Sequence, residues 1–236
     1  VRGRVGFITL NRPKALNALS LDMVRDLMKV LSAWALDPHV LLVAVRGSNK
    51  EGAFGAFCAG GDIRFLHQAA IEKHADLDAF FAEEYALNYL IHNYPKPYIA
   101  FMDGIVMGGG MGISQGASIR IVTERTKMAM PETLIGLFPD VGGGFFLSGC
   151  PGRVGEWLAL TGQTIGAAEA LSFDLADQFL PSERQTAVWE ALGSSDWGTE
   201  EALYAWLGQQ FSTAPEPHQG DLTPEAFEAR IEPYFS

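Results

Sequence analysis

The chain has 236 residues, of which 48% are hydrophobic and 19% are charged. This balance excludes an intrinsically disordered protein, because disorder requires low hydrophobicity and high charge. The 17 basic and 28 acidic residues give a net charge of −11, which argues against a nucleic-acid binder, since phosphate backbones require a basic face.

The sequence also bears on membranes and on the compartment. It contains no apolar run of about 18 residues, so we expect no membrane-spanning helix. The N-terminus lacks the pattern of a signal peptide, and two cysteines do not make a disulfide framework. We therefore expect a cytoplasmic protein, or one of the mitochondrial matrix if the source is eukaryotic. Because the first residue is Val rather than Met, we expect a few residues to be missing or processed.

The first half of the chain alternates apolar runs with segments of helical periodicity. Residues 4–10 are predicted to form a strand, and Ser20 is placed to cap a helix that runs to about residue 35. The continuous apolar run at 40–45 is typical of a strand buried on both faces. Asp62 is placed to cap the next helix. A longer helix at about 77–92 and a strand at 97–102 follow.

The second half is predicted to be mostly helical. The triple glycine at 108–110 opens a short helix near 111–116, and strands follow at 119–122 and 127–130. Helices are expected near 142–149, 153–161, 166–172 and 182–192. Strands that alternate with helices predict an α/β domain with both sheet faces covered. We assign residues 1–194 to this core and expect 195–236 to be a helical C-terminal segment, with a linker near 214–222 and an incomplete end.

Two glycine-rich loops follow the two buried strands. The first is FCAGGDIR at 57–64, and the second is MGGGMG at 107–112. Each presents backbone amides near the N-terminus of a helix, where they lack helical partners and carry partial positive charge. Two such loops that face each other can hold one oxygen that becomes negative, so the pair predicts an oxyanion hole.

Two carboxylates, Glu132 and Asp140, lie in a segment rich in apolar residues. A carboxylate in apolar surroundings loses hydration, and its pKa rises into the range that suits acid–base catalysis. Structural explanations also exist for each residue taken alone. Asp140 could cap a helix before the second triple glycine, and Glu132 could form a structural ion pair. Together the two residues are candidates for a catalytic pair.

A serine nucleophile is a competing interpretation. Residues 112–116 read GISQG and fit the GxSxG pattern around Ser114, with Asp140 and His218 downstream in a suitable order. That motif requires the serine to follow a strand directly, however, and here a glycine-rich loop intervenes. We therefore favour a small residue packed on a helix. Cys58 and Cys150 have no local activating histidine, so we expect inert buried thiols and, with histidines scattered, no metal site.

Three further motifs accompany the two loops: ITLNRP at 8–13, LNAL at 16–19 and MPE at 130–132. Together these motifs resemble the crotonase (enoyl-CoA hydratase/isomerase) superfamily over residues 1–190. Within it, PETLIGLFPDVGGG at 131–144 and EEY at 83–85 resemble the 3-hydroxyisobutyryl-CoA hydrolase branch. The resemblance implies a spiral of repeated ββα units wrapped by helices. It also implies an acyl-coenzyme A thioester as substrate, with no cofactor beyond the coenzyme A carried by that substrate.

The resemblance further assigns roles to individual residues. The amides of Gly61 and Gly109 would hold the thioester oxygen, Glu132 and Asp140 would be the catalytic pair, and Glu84 would contact substrate. Three basic residues fall where family members contact coenzyme A, although exposed surface cations explain them equally well. These residues are Arg12, Lys14 and Arg64.

One departure from the wider superfamily separates the candidate reactions. Hydratases use two glutamates, and the earlier one would fall on Gly112, which has no side chain. Water addition to a double bond needs both an acid and a base, so hydration is disfavoured and isomerisation is weakened. We expect hydrolysis of a short 3-hydroxyacyl-CoA thioester, with 3-hydroxyisobutyryl-CoA of valine catabolism as the first choice. The alternatives are an enoyl-CoA hydratase or isomerase and a non-catalytic acyl-CoA-binding protein. Homo-oligomerisation is left open.

Overall fold

The structure is a computed structural model that describes residues 1–195, 197–213 and 224–234. Seven strands form two parallel sheets within these residues. The larger has five strands in the order β1, β2, β3, β5, β7, and the smaller pairs β4 with β6. The strands are β1 (Val5–Leu10), β2 (Leu42–Gly47), β3 (Tyr98–Met102), β4 (Ile105–Met107), β5 (Ile119–Val122), β6 (Lys127–Ala129) and β7 (Gln178–Phe179).

Helices fill the connections between successive strands of the larger sheet, as parallel pairing requires. The described α-helices are α1 (Leu21–Leu36), α2 (Ile63–Glu72), α3 (Asp76–His92), α4 (Gly109–Gly112), α5 (Gly143–Ser148), α6 (Val154–Thr161), α7 (Ala167–Ser172), α8 (Gln185–Ser194), α9 (Glu200–Gly208) and α10 (Pro224–Ile231). Four short 3-10 helices accompany them, at Pro13–Ala15, Glu132–Ile135, Ser182–Arg184 and Glu232–Tyr234.

The two predicted helix caps are confirmed. The Ser20 hydroxyl accepts a hydrogen bond from the Met23 amide at 3.3 Å, at the start of α1. The Asp62 carboxylate accepts one from the Phe65 amide at 3.2 Å, at the start of α2. Each cap satisfies an amide that the first helical turn leaves without a partner. The second cap also ends the first glycine-rich loop at a defined residue.

The central sheet separates two hydrophobic layers. Val43 and Val45 of β2 belong to the layer that contains α1 and α3, whereas Leu42 and Ala44 belong to the layer that contains α8. Successive strand residues point to opposite faces, so a strand covered on both sides is apolar throughout. The predicted α/β class with covered sheet faces is confirmed.

The described part of the C-terminal segment contains the helices α9 and α10 and one short 3-10 helix. In α9, Leu203 and Leu207 pack in the same layer as Trp189, while Phe227 and Ile231 of α10 pack in the other layer. The predicted linker at 214–222 lies outside the described residues. The boundary between residues 194 and 195 stays a prediction.

Three local features differ from the sequence prediction. The short strands β4 and β7 were not predicted, because three- and two-residue strands have no periodicity of their own and exist only through pairing. The helix after the triple glycine spans Gly109–Gly112 rather than residues 111–116.

In the described part of the chain, no helix combines the length and apolarity needed to cross a bilayer.

Candidate active site

The two glycine-rich loops lie against each other. Cys58 and Val106 form an isolated parallel bridge, and the Met107 amide donates to the Cys58 carbonyl at 2.9 Å. This contact places the Gly60–Gly61 turn next to the start of α4. A methyl group on Gly109 would lie 3.4 Å from the Gly61 nitrogen, and one on Gly60 would lie 3.6 Å from the Gly109 nitrogen. The loops therefore face each other, as the sequence predicted.

Both amides at this contact are free to bind a ligand. Within the described residues, neither the Gly61 N–H nor the Gly109 N–H donates a hydrogen bond to the protein. Gly109 is the first residue of α4, where an amide has no helical acceptor. Free amides of this kind, held by the surrounding backbone, can stabilise an oxygen that develops negative charge.

Glycine at position 108 has two separate causes. Its φ of 48° lies in the left-handed region, which residues with a Cβ avoid. A Cβ there would also lie 2.7 Å from Glu132 Oε1. The bare backbone at Gly108 thus allows the chain to turn into α4 and lets the Glu132 carboxylate approach it closely.

Glu132 reaches the site from the end of β6. The strand ends at Ala129, and Glu132 starts the 3-10 helix Glu132–Ile135 with only 7% of its surface exposed. Its Oε2 is buried without a partner in the described residues. Burial raises the pKa of Glu132 to about 7, and the nearby Asp140 charge adds to the shift. A carboxylate with this pKa can exchange protons near neutral pH.

Glu84 lies opposite, on the inner face of α3. It is 2% exposed, and its Oε1 is buried without a partner in the described part of the chain. A methyl group on Gly109 would lie 2.4 Å from this oxygen, so glycine there makes room for Glu84. Burial raises the pKa of Glu84 to about 8, with further contributions from the charges of Asp140 and Glu132. At neutral pH this carboxyl group is therefore largely protonated.

Asp140 stands at the rim of the cluster. It is half-buried, and it accepts a hydrogen bond from the Tyr85 hydroxyl at 2.7 Å. The expectation that apolar neighbours bury both carboxylates holds for Glu132 but is wrong for Asp140, because Leu134, Ile135 and Phe138 are exposed. Asp140 also makes no side-chain cap at α5, whose cap position is Gly142. The sequence signal for Tyr85 was its place in EEY beside Glu84, but no role was drawn from it.

One cavity of about 260 Å³ brings these groups together. Its wall includes both amide-bearing glycines and all three carboxylates, between apolar side chains of α2, α3 and the 132–137 segment. The polar and backbone positions that line it are Gly61, Glu84, Gly109, Glu132 and Asp140. Such a cavity can hold a carbonyl group against the amides with a carboxylate beside it.

The three basic residues lie away from this cavity. Arg12 binds the Asp62 carboxylate at 2.6 Å and donates to the Ala18 carbonyl at 2.8 Å, so it supports the first loop. Lys14 and Arg64 are exposed. Their predicted contact with coenzyme A stays a prediction.

The serine nucleophile is contradicted. Ser114 is fully buried, and its hydroxyl donates to the Gly110 carbonyl at 2.8 Å inside the turn after α4. His218 lies outside the described residues. The thiols behave as expected: burial raises the pKa of Cys58 to about 12 and that of Cys150 to about 11, so neither is a thiolate at neutral pH.

The parallel sheet, the small β4–β6 sheet and the two facing amide loops define an α/β protein of crotonase type. Comparison with known proteins agrees. A model described as enoyl-CoA hydratase/isomerase matches residues 5–236, and the chain belongs to that family.

Individual relatives refine this assignment. The chain is 48% identical over 182 residues to the mitochondrial 3-hydroxyisobutyryl-CoA hydrolase of Xenopus tropicalis, and 44% identical over 191 residues to that of Homo sapiens. These matches cover 77% and 81% of the chain, but 46% and 48% of the two relatives. The chain thus spans about half the length of the curated relatives that it matches.

Solved structures share the fold. A carnitinyl-CoA dehydratase from Mycobacterium thermoresistibile is 36% identical, with a TM-score of 0.84 over 100% of this chain and 70% of that one. An enoyl-CoA hydratase from Rhodobacter sphaeroides 2.4.1 is 37% identical, with a TM-score of 0.82 over 99% of this chain and 63% of that one. The predicted crotonase-like fold is confirmed.

Proposed function

We propose that this protein hydrolyses a short 3-hydroxyacyl-CoA thioester, with 3-hydroxyisobutyryl-CoA as the substrate. The observation that carries this proposal is the pair of free amides, Gly61 and Gly109, in one cavity with the buried Glu132. The relatives named 3-hydroxyisobutyryl-CoA hydrolase support the choice of thioester. Position 112, which has no side chain, speaks against hydration.

In this mechanism the thioester oxygen accepts hydrogen bonds from the amides of Gly61 and Gly109. The oxygen becomes negative as the carbonyl carbon turns tetrahedral, and the fixed amides stabilise that charge. Removing one such donor costs roughly 10²–10³ in rate in comparable enzymes. Collapse of the tetrahedral species breaks the carbon–sulfur bond and releases coenzyme A as its thiol.

Glu132 initiates the attack in either of two ways. It can attack the carbonyl carbon and form a mixed anhydride, which water then hydrolyses, or it can remove a proton from an attacking water. Asp140 would orient the 3-hydroxyl or share the proton transfer. A single turnover in ¹⁸O-labelled water tests the anhydride route, because label in the Glu132 carboxylate arises only when water hydrolyses an anhydride at the Glu132 carbonyl.

The direct test is release of free coenzyme A from a panel of thioesters, followed by a thiol-reactive dye. We expect the wild-type chain to cleave 3-hydroxyisobutyryl-CoA, and Glu132→Gln to be slower by roughly 10²–10⁴. Ser114→Ala should retain activity. If the wild type releases no thiol from any thioester, the proposed hydrolysis is wrong.

A second candidate is hydration or isomerisation of an enoyl-CoA, which the solved relatives named hydratase and dehydratase favour. Turnover of crotonyl-CoA or a 3-enoyl-CoA without thiol release would select it. Tight binding of thioesters without any turnover would instead select a non-catalytic acyl-CoA-binding protein.

The cellular setting is also part of the proposal. We place the protein in the cytoplasm, or in the mitochondrial matrix of a eukaryote, and the names of the vertebrate relatives, which call them mitochondrial, support the second location. It would use no cofactor beyond the substrate's coenzyme A. Because the chain and coenzyme A are both anionic, Arg12, Lys14 and Arg64 would offset their repulsion locally. Assembly into a homo-oligomer is compatible with this function.

A further inference from the structure

Asn88 of α3 is a half-buried residue beside the candidate active site, and its polar atoms have no structural use in the described residues. Both its Oδ1 and its Nδ2 are inaccessible to solvent, and neither has a hydrogen-bond partner in the described residues. A buried amide without partners costs roughly 1–3 kcal/mol of folding free energy for each unpaired group. The proposed mechanism does not use Asn88, so this cost calls for an explanation.

The position of Asn88 points to the substrate. It lies one helical turn after Glu84 on the same face of α3, about 6 Å further along the helix axis. A methyl group on Gly109 would meet Glu84, and one on Gly112 would lie 3.0 Å from both polar atoms of Asn88. Glu84 therefore lies at the start of α4, beside the amide that would hold the thioester oxygen, and Asn88 lies at the end of α4.

Val141 lies beside Asn88 and borders the cavity that contains Glu132, since a methyl group on Gly112 would meet both the Val141 Cβ at 2.7 Å and the Asn88 amide. Val141 lines that cavity and also a larger neighbouring one of about 670 Å³, whose wall includes Asn88, Gly112 and Asp140. Its φ of 45° is in the left-handed region, which is strained for a β-branched residue. The strain makes a rearrangement at Val141 less costly than at an ordinary buried valine, and Gly142 beside it gives the backbone freedom to move.

We propose that Asn88 recognises the 3-hydroxyl group of the substrate, which reaches the amide when Val141 moves aside. This inference rests on the proposed 3-hydroxyacyl-CoA substrate. The 3-hydroxyl is three bonds from the carbonyl carbon, and the hydroxyl both donates and accepts, as the Asn88 amide does. Asn88 is thus a specificity-determining residue that distinguishes a hydroxylated acyl group from the same acyl group without the hydroxyl.

The test compares two thioesters that differ only in that group, 3-hydroxyisobutyryl-CoA and isobutyryl-CoA, on the wild type and on Asn88→Leu. We expect Asn88→Leu to lower kcat/KM for the hydroxylated thioester roughly ten- to hundredfold and to leave isobutyryl-CoA nearly unchanged. Equal losses on both thioesters, or none on either, would overturn the inference.

Gln185→Leu is the matched control. It also removes a buried amide whose two polar atoms lack partners in the described residues, but at the start of α8, outside the cavities described above. It should leave the preference between the two thioesters unchanged. Because Asn88→Leu removes unpaired polar atoms, its melting temperature should equal or exceed that of the wild type. A clear loss of stability would show a structural role and overturn the inference.

A binding measurement separates this inference from the proposed hydrolysis. In a Glu132→Gln background, Kd for each thioester is compared with and without Asn88→Leu. A preference for the hydroxylated thioester that disappears with Asn88→Leu supports the inference even if the wild type cleaves neither thioester. Binding without such a preference overturns it, and so does the absence of binding to both.

Discussion

The carboxyl group of Glu132 has a pKa of about 7 because burial disfavours its charged form and Asp140 adds a nearby negative charge. Either proposed route requires Glu132 to be deprotonated. We therefore expect kcat/KM for thioester cleavage to rise with pH below about 7 and to level off above it. Rates between pH 5 and 9 check this. A rate that is already constant from pH 5 upward, as an ordinary glutamate pKa would give, would contradict it.

The buried carboxyl group of Glu84 makes the stability of the folded state depend on pH. Burial raises its pKa to about 8 from an ordinary 4.5, so the folded state favours the protonated form. Its stabilising contribution is complete below pH 4.5 and is lost as the pH rises through 8. We expect Glu84→Gln to be more stable than the wild type at pH 9, by up to about 5 kcal/mol, and similar at pH 5. Chemical denaturation at both pH values measures this.

The control for that comparison is Glu51→Gln, which changes an exposed carboxylate. It should show the same difference from the wild type at both pH values. If Glu84→Gln does the same, burial of Glu84 has no energetic consequence. A stability gain that accompanies a loss of activity would instead show that the protein keeps this carboxyl group for function.

Among the elements, α4 is rich in glycine because side chains of neighbouring segments lie very close to its backbone. A methyl group on Gly109 would lie 2.4 Å from Glu84 Oε1 and 3.4 Å from the Gly61 nitrogen, in the space between the two amides. We expect Gly109→Ala to lower kcat/KM by about 10² or more. The fold should survive, because the Glu84 carboxyl group can turn away. Circular dichroism and the thiol-release rate measure the two effects.

Gly208→Ala serves as the control, since nothing lies within 4 Å of a methyl group at that end of α9. It should keep full activity and change stability by no more than about 1 kcal/mol. Equal losses of activity in the two variants would mean that any added methyl group is harmful, and would remove the case for the amide pair.

Sequence reasoning found the elements with strong local signals. The helices α1 and α3, the start of α2 and the apolar strands β2 and β3 were predicted close to their observed bounds. The glycine clusters and Glu132 were located as candidates for the same reason. Strand β4 was missed because three residues have no detectable period, and Asn88 was missed because an asparagine on a helix looks like a surface residue until its neighbours are known.

At the scale of the whole molecule, the C-terminal segment is part of the packed structure. Leu207 of α9 is fully buried in the same layer as Trp189 and Leu42. We expect Leu207→Ala to destabilise the protein by about 2–4 kcal/mol through lost burial and an uncollapsed cavity. The melting temperature should fall by several degrees. Thermal unfolding checks this.

Leu36→Ala is the matched control, because Leu36 is 87% exposed at the end of α1. Its stability should stay within about 0.5 kcal/mol of the wild type. An equally small effect of Leu207→Ala would show that α9 contributes little to the folded state. The sequence predicted a helical segment here, but which face of the sheet it covers depends on packing between distant residues.

The small β4–β6 sheet has a consequence for how this chain tolerates change in length. Met107 pairs with Ala129, and the Gly108 amide donates to the Ala129 carbonyl at 3.2 Å. Gly109 and Glu132 therefore lie two and three residues after the paired residues Met107 and Ala129. The distance between the Gly109 amide and the Glu132 carboxylate depends on these two short segments. One residue inserted between Met107 and Gly109, or between Ala129 and Glu132, would misalign the amide donor and the carboxylate. An insertion in the exposed turn at 124–125 would leave this spacing unchanged but would displace Arg125, whose guanidinium binds the buried Asp103 carboxylate, so a tag or a peptide belongs elsewhere.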